Sequence, residues 1–576
     1  MRTRDQILLI WLCLVVVSLA GLNSFGLPDL LVGPDDDMRQ LRVDAFLEGQ
    51  GWYDDRVSRI DPPAGAVLHW SRLADLPLSV VNLLTGLAVA AQTASVVSVV
   101  AVPLLLGLAY LLSLSWAAKP LLGPACLAAP ALAAITTVGI KNFWPGRIDH
   151  HAWMMLASVL CLGACLRLVR TRAASRRACT FAGVATVIAL AITAETTALF
   201  ATVMLIFTLA WITDGADIIS PIRAYATASA LAGLCLLPIE QAPANLGQVA
   251  CDAFALPYVT ALVVAACFWW TVPTLAVRCG WRGRLGWGAI GGIGVISALL
   301  ALFPECRTGP MAQVPSEQWE IWLNDAGGMQ SLVEKSYTVR TLILVPALFA
   351  VLGVGLAMRE QMIDVRSAAV LLTWLLVWSL LAILSTRQYI GLHTAVPLGL
   401  GLLLVQFWQR VEKLRGRWLK LFTGNFLTLA VLVAPLAAVV LEKNAPAAND
   451  ARQADCPGIA IGEAFAARPD LPPGRVAAPI FAGPDILIRS PHSVIGAQYH
   501  RNVLGNLKVH RLLSATDAQI ARDLVREAGA DYIAICRDGR IDATTFQHDL
   551  ANGTPPPWLH DITPSTASHA KLYRVK

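Results

Sequence analysis

Long apolar runs separated by short polar breaks fill the first three-quarters of the chain. A bilayer-crossing helix needs about 20 mostly apolar residues. Thirteen stretches fit, beginning near residues 6, 92, 123, 152, 179, 197, 223, 258, 286, 340, 366, 390 and 419. The third, fifth and seventh are short. Pro77–Ala91 is apolar too, and reads either as a further span or as a helix leading into the span at 92. Beyond about residue 442 the pattern changes. Arg475–Phe481 and Asp531–Cys536 read as buried strands, and Ala515–Gly529 as an amphipathic helix with a glycine stop. The pattern predicts an α-helical polytopic membrane protein: a transmembrane part over 1–441 and a small α/β domain over 442–576. No internal repeat stands out.

Composition narrows the class. Of 576 residues, 56% are hydrophobic and 15% charged, against about 45–50% and about 25% in ordinary soluble proteins. A soluble enzyme and a disordered chain are excluded, and glycine and proline follow no fibrous period. The net charge of +6 (45 basic against 39 acidic residues) is small for this length and gives no reason to expect nucleic acid as a partner.

Basic residues orient the spans, because Lys and Arg concentrate in cytoplasmic loops. With Arg2 and Arg4 inside, basic clusters follow even-numbered spans: Arg170 to Arg177, Arg278 to Arg284, Arg359 and Arg366, then Arg410 to Lys420. The loops 24–76, 139–151, 239–257, 305–339 and 385–389 and the tail then face outward. Met1–Leu22 has the basic start and apolar run of a signal peptide, but no small-residue cleavage site follows, so an uncleaved span is favoured. Four cysteines fall on the outer face, where oxidising conditions favour pairing: Cys251 with Cys306, and Cys456 with Cys536. The single-chain layout suggests the bacterial inner membrane, with the C-terminal domain extracytoplasmic.

Ionisable groups at the membrane edge are costly, so their clusters are functional candidates. One is Gly33-Pro34-Asp35-Asp36-Asp37-Met38-Arg39, where three consecutive carboxylates repel unless a cation offsets them. Oxygen ligands suit a hard divalent ion such as Mg²⁺ or Mn²⁺. Capping of the following helix is the alternative reading. The second is Arg147-Ile148-Asp149-His150-His151, just before the fourth span. Here too Asp149 either caps the helix or joins a histidine on an ion. Two such clusters on one face point to one shared ion. Other outer-face polar positions are His69-Trp70-Ser71-Arg72, with Trp70 as an interfacial anchor and Arg72 near lipid phosphate; Glu195 at the outer end of span five; and Tyr499-His500-Arg501-Asn502 in the tail.

These residues resemble a family. Asp36, Arg42, Phe46-Leu47 and Gly51-Trp52-Tyr53 stand at the spacing of the first outer loop of oligosaccharyltransferase catalytic subunits, multi-span glycosyltransferases of the GT-C type. Asp149-His150-His151 looks like the Asp-x-His of their archaeal members. The resemblance implies a donor glycan on a polyprenyl phosphate or diphosphate, transferred with inversion to a glycan, lipid or protein acceptor at the membrane surface. It implies a metal held by Asp36, Asp149 and His151, with Asp35, Asp37 and His150 as substitutes or neighbours. It also implies a catalytic role for Asp36, Asp149 and Asp325 and a donor-phosphate contact from Arg387. The outer-face polar positions add expected substrate contacts from Asp37, Arg42, Arg72, Arg147, His150, Glu195, His500 and Arg501. The family's Trp-Trp-Asp-Tyr-Gly run, which grips an Asn-x-Ser/Thr acceptor, is absent. A transporter or lipid-linked-glycan flippase is the alternative class; it is disfavoured by spans almost free of charge and by the lack of repeats.

Overall fold

Apolar side chains all round a helix leave it nowhere to sit but in lipid or against other helices. The computed structural model describes residues 3–22, 26–136, 138–413, 458–537 and 542–576. Its membrane part comprises α1 (Thr3–Ala20), the loop helices α2 (Pro34–Leu47) and α3 (Leu76–Gly86), then α4 (Ala91–Leu122), α5 (Ala128–Thr136), α6 (His151–Thr171), α7 (Arg176–Ile192), α8 (Thr197–Asp214), α9 (Ile219–Glu240), α10 (Leu256–Leu275), α11 (Trp281–Leu302), α12 (Tyr337–Arg359), α13 (Val365–Leu384) and α14 (Tyr389–Glu412). Among the described residues, nine continuous helical stretches are long and apolar enough to cross a membrane. α6 and α14 are the most enclosed. α12 and α14 approach closely because Gly353 and Gly399 face each other's helix: a Cβ on Gly353 would lie 2.3 Å from the Gly399 carbonyl oxygen.

The expected spans and the observed helices differ at the third span, and the structure decides between the two readings of the stretch after Pro77 in favour of a helix leading into α4. The third span is a 3₁₀ turn, Gly123–Leu127, followed by α5 of only nine residues. At about 1.5 Å per residue, α5 cannot cross a hydrocarbon core of about 30 Å. The apolar stretch after Pro77 is the 11-residue α3, also too short to span. The span expected near 419, and the 441/442 boundary, lie outside the described residues.

The C-terminal part carries a five-stranded sheet in the order β4-β3-β5-β7-β6: β3 (Arg475–Ala477), β4 (Ser493–Val494), β5 (Tyr532–Cys536), β6 (Leu559–Asp561) and β7 (Ala570–Val575). β3 pairs in parallel with β4 and β5, while β7 is antiparallel to β5 and β6. β1 (Arg56–Val57) and β2 (Ala66–Val67) form a separate hairpin in the first loop. Helices α15 (Gly458–Ala466), α16 (Gly483–Arg489), α17 (Val503–Leu513), α18 (Ala518–Ala528) and α19 (Phe546–Ala551) complete the C-terminal part. The strand expected over Arg475–Phe481 stops at Ala477, because the chain turns at Pro479 into a 3₁₀ turn and then α16. The expected amphipathic helix is α18, capped by Asp517, whose Oδ1 accepts from the Gln519 and Ile520 amides, and ended by Gly529 at φ +64°.

This part does not hang free. Met38, Ile60, Leu68 and Trp70 of the first loop share one buried apolar cluster with Ile461, Val476, Ile486 and Leu572. Ile60 bridges Val494, and the Arg59 guanidinium donates to the carbonyls of Leu487, Ser490 and His492 at 3.0, 2.5 and 2.5 Å. Trp70, expected as an interfacial anchor, is instead buried edge-on against Tyr499 with the Arg39 guanidinium over its ring. A disulfide joins Cys251 to Cys306. Cys536 is disulfide-bonded as well; Cys456, the partner expected for it, lies outside the described residues.

Candidate active site

The first turn of α2 presents Asp35, Asp36 and Asp37, with Gly33 extended before it and Pro34 at the first helical position. None of these carboxylates caps its own helix. Asp36, fully buried, points across to the loop before α6. Its Oδ1 accepts from the Ile148 amide at 2.8 Å, and its Oδ2 from Arg147 Nη1 at 2.8 Å. Arg147 Nη2 meets Asp149 Oδ2 at 3.4 Å. One guanidinium therefore links the carboxylates of two loops that are distant in sequence.

Gly146 makes this possible. It sits at φ +80°, and a Cβ there would lie 1.7 Å from the Leu30 carbonyl oxygen. Its amide donates to the Val99 carbonyl at 2.9 Å. The loop is thereby pressed against the chain entering α2, and Arg147 is delivered to Asp36.

Around Asp149 the groups crowd together. His150 Nδ1 lies against Asp149 Oδ1, and His151 Nδ1 is 2.5 Å from Asp149 Oδ2. The two imidazoles are 4.4 Å apart by ring centre. His151 Nδ1 and Nε2 and His150 Nε2 are buried with no aligned hydrogen-bond partner among the described residues. Two imidazoles crowding one carboxylate, with both Nε2 atoms buried and unsatisfied, are what a metal-ligand set presents. One ligand atom from each of Asp149, His150 and His151 lies within 4.8 Å of the others. Asp149, His150 and His151 thus fit a divalent ion, while Asp36 lies outside that group of ligand atoms, its oxygens taken by Arg147 and the Ile148 amide.

Burial, Asp149 and Asp35 push the Asp36 carboxyl up to about 7 against the pull of Arg147. For Asp149, burial is outweighed by His150 and His151, which hold it well below the usual carboxylate range. Asp149 in turn pushes His150 up to about 9 despite burial.

Two cavities flank this centre. One, of about 590 Å³, is lined by Asp35, His69, His150, Glu195, Asp252, Arg387, Gln498 and His500, with an apolar wall that includes Ile192, Leu381 and Leu384. Within it, Arg387 Nη1 donates to Glu195 Oε1 at 2.6 Å, and His150 Nε2 lies 4.0 Å from the same oxygen. The other, of about 1020 Å³, is lined by Arg147, Lys141, Asn142, Trp144 and Tyr389 together with Leu30, Leu342 and Ile343.

The remaining expected residues are placed as follows. Arg42 and Arg72 are buried and line neither cavity. With Arg39 they engage Asp75 and Asp55: Arg39 to Asp75 at 2.5 Å, Arg42 to Asp75 and Asp55 at 3.2 and 3.0 Å, and Arg72 to Asp75 at 3.8 Å. They brace the loop, because the charges neutralise one another out of water. Asp37 also lines neither cavity; burial first, and then Asp485, push it up to about 8. Asp325 is exposed and is not part of either lining, although Gly327 and Gly328 beside it are. His500 and Arg501 both engage Asp252, at 2.6 Å and, bidentately, at 2.8 Å. Sequence reasoning missed Asp252; its position directly after Cys251 was the one available signal. Asn142 and Tyr389, which share a 3.2 Å hydrogen bond, carried none.

No family model matches the sequence, and no curated protein matches it. Solved structures do. The oligosaccharyltransferase of Archaeoglobus fulgidus tethered with an acceptor peptide containing the NVT sequon superposes with a TM-score of 0.67 at 12% identity, over 92% of this chain and 69% of that one. AglB of the same organism, in complex with an inhibitory peptide and a dolichol-phosphate, gives 0.65 at 13% identity over the same shares. The A. fulgidus enzyme in complex with Zn and sulfate gives 0.64 at 12% identity, over 98% of this chain and 72% of that one. This chain has the fold of those oligosaccharyltransferases. That likeness and the nine apolar stretches make it a multi-pass membrane protein.

Proposed function

We propose that the chain is a GT-C-type glycosyltransferase that moves a sugar or oligosaccharide from a polyprenyl phosphate or diphosphate to an acceptor at the extracytoplasmic face of a bacterial inner membrane, inverting the anomeric carbon. The observation that carries this reading is the meeting of Asp36 and Asp149 on Arg147, between two cavities and beside two imidazoles that crowd Asp149 and leave both Nε2 atoms without a hydrogen-bond partner among the described residues. Asp36, Asp149 and His151, with His150 alongside, would hold a divalent ion, Mg²⁺ or Mn²⁺. Bound there, it would supply Lewis acidity toward the leaving phosphate.

The chain's own residues divide the work. Arg387 and His150 face the smaller cavity and bind donor phosphate by forked and single donors. Glu195 orients Arg387. Ile192, Leu381 and Leu384 receive the first prenyl units. The acceptor enters the larger cavity beside Arg147. Asp36 lines neither cavity, so Arg147 must first swing aside; the acceptor's nucleophilic O–H or N–H then gives its proton to Asp36 while its lone pair bonds to the anomeric carbon. The bond from that carbon to the phosphate oxygen breaks, and the electron pair leaves on the phosphate. Asp36 suits a proton acceptor, because burial raises its affinity for a proton. The Cys251–Cys306 disulfide supports the oxidising side for the loops that carry the site. The absence of a Trp-Trp-Asp-Tyr-Gly run favours an acceptor other than the Asn-x-Ser/Thr sequon.

Mass spectrometry of polyprenyl-linked glycans and envelope polymers in a strain lacking the protein tests the reading. An accumulated donor and a truncated acceptor are expected, restored by the wild-type chain and not by Asp36→Asn or Asp149→Asn. Unchanged glycans, or flux in liposomes without a covalent product, would contradict it.

A further inference from the structure

We propose a second divalent-cation site, sharing no residue with the Asp149 centre, formed by His69, Asp252 and His500 and suited to Zn²⁺. It stands on geometry alone and does not depend on the transferase reading. His69 comes from the first outer loop, Asp252 from the loop between α9 and α10, and His500 from the C-terminal part. One ligand atom from each lies within 4.8 Å of the others. His500 Nε2 is 2.6 Å from Asp252 Oδ2, and the two imidazole centres are 4.5 Å apart. His69 Nδ1 is buried and has no hydrogen-bond partner among the described residues.

A plain ion-pair network accounts for His500, Asp252 and Arg501 but not for His69. His69 is pressed against a second imidazole with a buried nitrogen unsatisfied, an arrangement that costs free energy unless the lone pair is used. A cation shared by both rings uses it. Arg501 does not close the site. Its bidentate contact, Nε and Nη2 at 2.8 Å each, takes two of the roughly four lone-pair directions of the carboxylate and leaves the rest. Two imidazoles and one carboxylate favour Zn²⁺ over Mg²⁺. Three protein ligands leave a position for water or a substrate oxygen, and all three residues line the smaller cavity. Asp252 is anchored from behind, since Cys251 is held by the disulfide to Cys306 and its amide donates to Gln313 Oε1 at 3.1 Å. The ion would clamp the C-terminal part to two membrane-side loops at the cavity wall.

The full chain, purified in detergent and stripped with chelator, is dialysed against Zn²⁺, and bound metal is counted by elemental mass spectrometry. Asp149→Asn/His151→Ala removes the first centre. That variant is expected to retain one Zn²⁺ per chain and to gain several degrees in Tm with Zn²⁺. Adding His69→Ala to it is expected to weaken binding at least tenfold and abolish the gain, while the metal-free Tm stays that of its parent. Among the described residues His69 makes no side-chain hydrogen bond whose loss would unfold the loop, and Arg501→Lys, which keeps the charge, is expected to retain the ion. Loss of all Zn²⁺ from Asp149→Asn/His151→Ala with an unchanged metal-free Tm would overturn the site. So would unchanged Zn²⁺ binding after His69→Ala. Both readouts are independent of sugar transfer, so a failed transferase assay leaves this site standing.

Discussion

Gly146 decides whether Arg147 can reach Asp36. Alanine there meets both a left-handed φ and the Leu30 carbonyl, a strain of about 1–3 kcal/mol that the loop relieves by moving away. Gly146→Ala is expected to leave insertion intact and to cut transfer at least tenfold, as measured by product formed per unit of protein in membranes. Full activity would show that the Arg147 bridge is dispensable. Asp75 tests the bracing network. It is 1% exposed and receives Arg39 and Arg42. Asp75→Ala strands buried guanidinium groups and is expected to cost about 3–5 kcal/mol, read as a fall in Tm. At this scale the sequence was half legible. Asp36 and Asp149 stood out because carboxylates clustered at a membrane edge need a counter-charge. Arg42 and Arg72 looked like substrate contacts because a one-dimensional pattern does not show that Asp55 and Asp75 fold back onto them.

Elements were read from period and length. The long spans were legible because lipid tolerates little but apolar residues, and α18 because Asp517 and Gly529 bracket its amphipathic run. The third span misled because 3₁₀ turns at Gly123–Leu127 and Val138–Phe143 flank it and leave nine residues of α-helix in a stretch that hydropathy alone treats as one span. The two-residue β4 and three-residue β6 are too short for alternation to register. A pH dependence belongs at this scale. Asp37 of α2 packs against α16, where burial and Asp485 raise it to about 8, and Asp485 itself is raised to about 6, chiefly by burial. Unfolded, both titrate near 3.9. Between there and about 8 the folded state binds more protons than the unfolded one, so stability falls as pH rises through that window and is fullest below it. Thermal unfolding of the metal-free chain from pH 5 to 9 is expected to show falling Tm, with a shallower slope in Asp37→Asn. An unchanged slope in that variant would place the dependence elsewhere.

At the scale of the molecule, the first loop and the C-terminal part behave as one body over the membrane helices. Their shared apolar cluster and the Arg59 contacts were invisible in sequence, because they join residues far apart in the chain, Arg59 and Leu487 by 428 positions. Met38 is fully buried there, and Met38→Ala is expected to cost about 2–5 kcal/mol and to expose the junction between loop and tail to protease. Unchanged protease resistance would mean that the two parts are held by other contacts.

The central claim is that one ion draws ligands from both outer loops. Mn²⁺ titration of the metal-stripped full chain, followed by electron paramagnetic resonance in a His69→Ala/His500→Ala background, tests it most directly. One tight Mn²⁺ is expected, weakened at least tenfold by Asp36→Asn and, separately, by Asp149→Asn. An affinity that either substitution leaves unchanged would contradict a shared ion.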